Sequence, residues 1–233
     1  MTTLNSATMT FLADLAANNR REWFAAQRDR YDAARLDVQQ FAAAVLEEVL
    51  CIDPLIPPQL KGSQCVMRLF RDTRFAKDKA PYKTNFGIGI SRFGSKLVEP
   101  GYYVHIAPDA CFIAAGWWMP PADGLKAIRM AIAARGDVLQ GVLAAPAYQQ
   151  HFAGFDDYAV LKTMPRGFAK DHPHAELLRL KSFTCSQPLP PDAYQQPDCI
   201  ARIPSAFAAA RPMLDFLRGA LGEAGYAPGK GER

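Results

Sequence analysis

The apolar residues of this 233-residue chain repeat at helical spacing, switch to alternation between residues 65 and 117, and then return to helical spacing. In the first fifty residues Phe11, Leu12 and Leu15 form one stripe. Trp23, Phe24, Gln27 and Tyr31 form a second, and Phe41, Val45, Leu46 and Val49 a third. Spacings of three and four residues put each set on one side of a helix. Asn19 with Glu22, and Asp37 with Gln40, match the side-chain pattern that caps a helix start. The prolines of 52–58 then end the helical run, since each removes a donor and fixes the backbone.

Alternation over 65–75, 86–91, 102–107 and 111–117 predicts strands. The short Pro108-Asp109 connection makes the last two a hairpin. After Pro120-Pro121, Leu125, Ile128 and Ile132 mark one helix and Val138, Val142 and Leu143 a second. A short helix is expected over 175–181, and a break over 188–191. A C-terminal helix carries Phe207, Leu214, Leu217 and Leu221, with Pro212 starting or kinking it. Neighbouring strands favour antiparallel pairing. The fold class read from this order is α+β. A central, mainly antiparallel sheet over about 65–117 is packed by N-terminal and C-terminal helices. With no repeat and no obvious linker, residues 1–225 read as one domain and 226–233 as a loose tail.

Composition narrows the function classes. Hydrophobic residues make up 49% and charged residues 21%, as in a packed globule. No run of about 18 apolar residues is present, so no membrane-spanning helix is expected. The N-terminus has no basic start followed by an apolar run, and it reads as mature protein. Five scattered cysteines without a C-x-x-C pair read as free, mostly buried thiols in a reducing compartment, which makes a cytoplasmic location the expectation. No cofactor motif is visible: there is no Walker loop, nucleophile elbow or HExxH. His172-Pro-His174 has too few nearby carboxylates or thiols for a metal site.

The charge is informative because of where it sits. The whole chain carries +4, and the window 68–83 holds Arg68, Arg71, Arg74, Lys77, Lys79 and Lys83 against Asp72 and Asp78 alone. Outside it, basic and acidic residues balance. If the segment is extended, Arg68, Phe70, Asp72 and Arg74 share one face, and Leu69, Arg71, Thr73 and Phe75 the other. Pro81 disfavours helix before it, so 77–83 is expected to be a loop carrying three lysines. Planar guanidiniums suit phosphate or carboxylate. Lysine-rich strand edges and surface Arg–Asp pairs also occur with no ligand at all.

The spaced residues Arg68, Arg71, Asp72, Arg74, Phe75, Asp78, Lys79 and Tyr82 resemble the signature of an uncharacterised family, domain of unknown function 2461. The resemblance extends to 18–24, Tyr82-Lys83-Thr84-Asn85, Tyr102-Tyr103-Val104-His105, Gly116-Trp117-Trp118 with Pro120, and 165–168. It implies that the basic segment is the family's signature site, and it carries no reaction with it.

Three readings follow. In the first, a basic pocket binds an anionic small molecule, above all a phosphorylated one. Arg68, Arg71, Arg74, Lys77, Lys79 and Lys83 are its ligand-binding residues, and Arg166 before Gly167 is a further anion contact. An enzymatic version makes Asp72 or Asp78 the general base, Tyr82 a proton or hydrogen-bond donor, and His105 an acid or base. In the second, the segment contacts nucleic-acid phosphates while a base stacks on Phe75 or Tyr82. In the third, its arginines are locked internally with Asp72 and Asp78, and no ligand exists.

Overall fold

The computed structural model describes residues 2–72, 74 and 77–227. The fold is α+β: among the described residues eight helices accompany a four-stranded antiparallel sheet, and helices from both ends of the chain pack against it. The strands β1 (Phe86–Ile90), β2 (Gly101–Ile106), β3 (Cys111–Trp117) and β4 (Phe183–Leu189) lie side by side in that order. The first three meet the expectation from alternation. β4 does not, because Pro188 sits near its end and its outward residues are mixed.

The described chain falls into two compact units, each assembled from segments distant in sequence. The first consists of residues up to 96, with 103–113 and 188–205. It contains α1 (Ser6–Ala17), α2 (Arg21–Ala26), α3 (Arg28–Ile52) and α4 (Gly62–Cys65). Asn5 caps α1 by accepting from the Ala7 N–H at 2.8 Å. Phe11, Leu12, Leu15, Val38, Phe41, Val45 and Val49 are fully buried, as the helical stripes require. Each such side chain stabilises the fold by roughly 1.5–3 kcal/mol.

Two cap signals are used differently from their expectation. Asp37 lies within the continuous helix α3, and its carboxylate accepts from the Asn5 N–H at 2.9 Å and from the Thr8 hydroxyl. It ties the start of α1 to α3. Asn19 makes no cap, since α2 begins after Arg20 without a side-chain cap. Cys65 ends α4 and does not begin a strand, so the extended stretch starts at Val66.

The second unit contains residues 97–102, 114–187 and 206 onward. Its helices are α5 (Ala122–Leu143), α6 (Pro146–Gln149), α7 (Ala175–Arg179) and the larger part of α8 (Cys199–Glu223). The two stripes expected around 125–143 belong to one helix that kinks at Arg135, where φ is −152° and ψ 39°. α8 runs through Pro212. The guanidinium of Arg129, half-buried on α5, donates to the carbonyls of Leu178 and Leu180 at the end of α7, at 2.9 and 3.0 Å. Of the expected tail, Tyr226 and Ala227 are described, and 228–233 lie outside the described residues. All five cysteines are free; four are buried and Cys51 is exposed. Among the described residues no helix is long and apolar enough to cross a membrane.

Candidate functional site

The basic segment belongs to the first unit. Its first half is extended: Val66 pairs with Ile88 and Phe70 with Tyr82, both antiparallel. The Met67, Arg71 and Lys83 amides donate to the Gly87, Pro81 and Leu69 carbonyls at 2.8–2.9 Å. Arg68, Phe70 and Asp72 are exposed, while Leu69 is buried and Arg71 half-buried, so alternation holds to Asp72. Thr73, Phe75 and Ala76 lie outside the described residues, and with them the roles expected of Phe75. The two pairings are four residues apart on one stretch and six on the other, so the chain bulges around Thr84 and Asn85.

Tyr82 is pinned on both sides. In an antiparallel pair whose neighbours make the hydrogen bonds, the residue's own N–H and C=O point outward. Asn19 takes both, donating to the Tyr82 carbonyl at 2.9 Å and accepting from its N–H at 3.2 Å. The Tyr82 ring is 6% exposed and stacks on Phe24, with centroids 4.0 Å apart. Phe70 meets both rings edge-on. Tyr82 therefore anchors the segment to α2, and a nucleic-acid base has no open face to stack on where Phe24 covers it.

At the tip the charges pair among themselves. Arg71 donates to Asp78 at 2.6 Å and to the Ala80 carbonyl at 3.2 Å. Arg74 grips Asp72 with Nε and Nη2, the shortest contact being 2.6 Å. The Arg74 side chain and amide hold the Asp72 carboxyl down at about 2, and Arg71 likewise holds Asp78 below its ordinary value. Lys79 reaches the Arg74 carbonyl at 3.5 Å. These are the contacts expected of an internal network, at the exposed tip.

Arg68, Lys77 and Lys83 differ. Among the described residues none of the three has a hydrogen-bond or ion-pair partner for its side chain, although Arg68 lies within the field of Asp72. Lys77 is exposed, whereas Lys83 is half-buried. Burial lowers the Lys83 pKa, and the Arg68 charge lowers it further, so the two cations lie within each other's field.

A second cluster lies in the same unit. His105 and Tyr103 share a face of β2, and the Tyr103 hydroxyl lies 2.9 Å from His105 Nδ1. Asn85 Nδ2 is 3.5 Å from the same nitrogen. Phe112 of β3 stacks on the imidazole at 4.5 Å and 11°. A Cβ at Gly87 would sit 2.9 Å from the Tyr103 hydroxyl and Cε2, so glycine there leaves room for that ring. Burial pushes the Tyr103 hydroxyl up to about 12 and lowers the His105 pKa, an effect that Asp109 partly offsets.

The remaining candidates lie in the second unit. Arg166 is exposed and precedes Gly167, whose φ is +94°. His172 Nδ1 accepts from the His174 N–H at 3.1 Å. Among the described residues no group of three His, Cys, Asp or Glu side chains is arranged to hold a metal. Trp117 is buried, with its indole N–H on the Leu97 carbonyl, while Trp118 is exposed against Tyr158.

Asn19, Asn85 and Tyr103 were not among the residues expected to build a site. Asn19 carried a signal, but it was that of a helix cap. Asn85 and Tyr103 stood inside the family-like motifs without a role.

The model of the family described as "Conserved hypothetical protein (DUF2461)" matches residues 7–216. The chain belongs to this family. The match takes in the whole basic segment and the Tyr103–His105 strand of this DUF2461 chain. No curated protein and no solved structure matches it.

Proposed function

We propose that the first unit binds an anionic small molecule, above all a phosphorylated one, through Arg68 and Lys83. The observation that carries this reading is a guanidinium and a half-buried ammonium within each other's field, neither hydrogen-bonded nor ion-paired to a carboxylate among the described residues. Holding two like charges together is unfavourable until an anion joins them. Arg68 offers a planar donor fork for phosphate, and Lys83 a mobile point charge on a backbone fixed by its neighbours. Lys77 extends the positive field from the loop. The buried thiols fit a reducing, cytoplasmic setting.

The internal-network reading keeps a narrower place. The Arg71–Asp78 and Arg74–Asp72 pairs favour it for the tip of the loop. The tip then shapes the site without supplying its free cations.

The test is thermal unfolding with a panel of phosphorylated and carboxylated metabolites at constant ionic strength. At least one should raise the Tm of the wild type and leave that of Arg68→Glu unchanged, while Arg71→Ala keeps a response. A panel that leaves the wild-type Tm unmoved contradicts the proposal. An affinity for oligonucleotides that falls steeply with salt would favour nucleic acid instead.

A further inference from the structure

Phe24, Tyr82 and Phe70 meet where α2 crosses the basic segment, and the fold covers the first two but not the third. Phe24 and Tyr82 lie nearly parallel, at 14°, and are 4% and 6% exposed. Phe70 stands edge-on to both and is 45% exposed. A single exposed apolar residue is ordinary on a protein surface. The surroundings of this one are not.

The bridges Val66–Ile88 and Phe70–Tyr82 keep 66–70 extended, so Arg68 and Phe70 share one face of the stretch. Two residues of strand rise, about 7 Å, separate them. Asp72 continues that face on the far side of Phe70. The Arg68 charge acts on Asp72 and on Lys83, the residue after the bridge partner of Phe70. The guanidinium therefore leans along the strand toward Phe70, away from Val66. Asp72 is gripped by Arg74, which matches its charge and leaves Arg68 without an ion-pair partner among the described residues. The ring is also fixed before any ligand arrives, because Phe24 and Tyr82 support it and Asn19 holds the Tyr82 backbone. A surface ordered in advance loses little entropy on binding.

An open aromatic face beside a guanidinium suits a ligand that carries both a planar group and an anion. Inorganic phosphate or a sugar phosphate would leave the Phe70 ring in water. The separation along the strand calls for a spacer between the planar group and the phosphate. We infer that the ligand is a nucleoside monophosphate, its base stacked on the open face of Phe70 and its phosphate at the Arg68 end of the site. This rests on the anion-binding reading and names the other half of the ligand. Arg68 serves any phosphate, and Phe70 supplies the preference for one that carries a base. Every base has a π-face, so the preference extends to all four.

The test is calorimetric titration of the full chain, at constant ionic strength, with inorganic phosphate, ribose phosphate and adenosine monophosphate (AMP). AMP should bind about tenfold more tightly than ribose phosphate, the gain from one stacked base. Phe70→Leu, which keeps an apolar contact with Phe24 and Tyr82, should bring AMP down to the level of ribose phosphate and leave ribose phosphate unchanged. Arg68→Gln should weaken both alike. In the wild type, AMP should shift the NMR signals of the Phe70 ring upfield, as stacking does, and ribose phosphate should not. That readout does not depend on how well a variant folds. Equal affinities for AMP and ribose phosphate, or an AMP preference that survives Phe70→Leu, overturn the inference and leave the anion site standing. A single-stranded oligonucleotide bound far more tightly than AMP, with an affinity that falls steeply in salt, overturns it in favour of nucleic acid. Binding of none of the three phosphates removes both.

Discussion

Asn19 satisfies both backbone polar groups of Tyr82, its Nδ2 donating to the carbonyl at 2.9 Å and its Oδ1 accepting from the N–H at 3.2 Å. One side chain 63 residues away acts as a short strand edge for the basic segment. Asn19→Ala should leave two part-buried groups unpaired and lower unfolding free energy by about 2 kcal/mol. Asn19→Asp keeps the acceptor, loses the donor and faces the Tyr82 carbonyl with a charge, so it should be no more stable than Asn19→Ala. Urea denaturation checks both, and a wild-type midpoint for either variant would contradict the role.

Lys83 should titrate below 10.5, because burial first and the Arg68 charge second disfavour its ammonium. Between the lowered value and 10.5 the unfolded chain holds more protons at this residue than the folded chain. Its contribution to stability therefore rises as pH increases through that window. Arg68→Gln should move the titration part of the way back, since burial remains. NMR of ε-carbon-labelled lysine reads the midpoint, and a value at or above 10.5 is inconsistent with the unpaired site.

The loop tip should depend on acid. The Asp72 carboxyl is held from 3.8 down to about 2 by its hydrogen bonds to the Arg74 side chain and amide. A depressed carboxyl contributes fully above 3.8 and loses its contribution as pH falls through about 2. Carbon-detected titration should give a midpoint of about 2 for Asp72, with Arg74→Ala returning it toward 3.8. A wild-type midpoint near 3.8 would mean that the pair does not form in solution.

Gly116 is a backbone requirement of the second unit. Its φ is +126°, and a Cβ there would lie 2.0 Å from the Phe183 carbonyl oxygen and 2.7 Å from Thr184 Cα. Neither obstacle is a movable side-chain end, so Gly116→Ala should cost about 3 kcal/mol or more. Chemical denaturation measures it, and a variant as stable as the wild type would contradict the close approach.

Much of this was legible in the sequence where one face of an element is buried. The stripes 11–15 and 41–49 and the strands 86–90, 101–106 and 111–117 carry strong spacing, and the structure follows it. β4 was missed because Pro188 mimics a break, although a proline near a strand end leaves most of the ladder intact. Asn19 misled because a carboxamide suits a helix cap and a strand edge equally well, and only a contact 63 residues distant decides between them. The basic window was visible as charge. Its division into self-paired Arg71 and Arg74 and an Arg68 and Lys83 without hydrogen-bond or ion-pair partners among the described residues depends on the loop's three-dimensional path.

The central claim meets its most direct test in a crystal structure determined with phosphate present. The account predicts a phosphate with oxygens in hydrogen-bond reach of the Arg68 guanidinium and Lys83 Nζ, while Arg71 and Arg74 keep Asp78 and Asp72. A site without phosphate, in which Arg68 turns to Asp72 and Lys83 finds its own carboxylate, would contradict it.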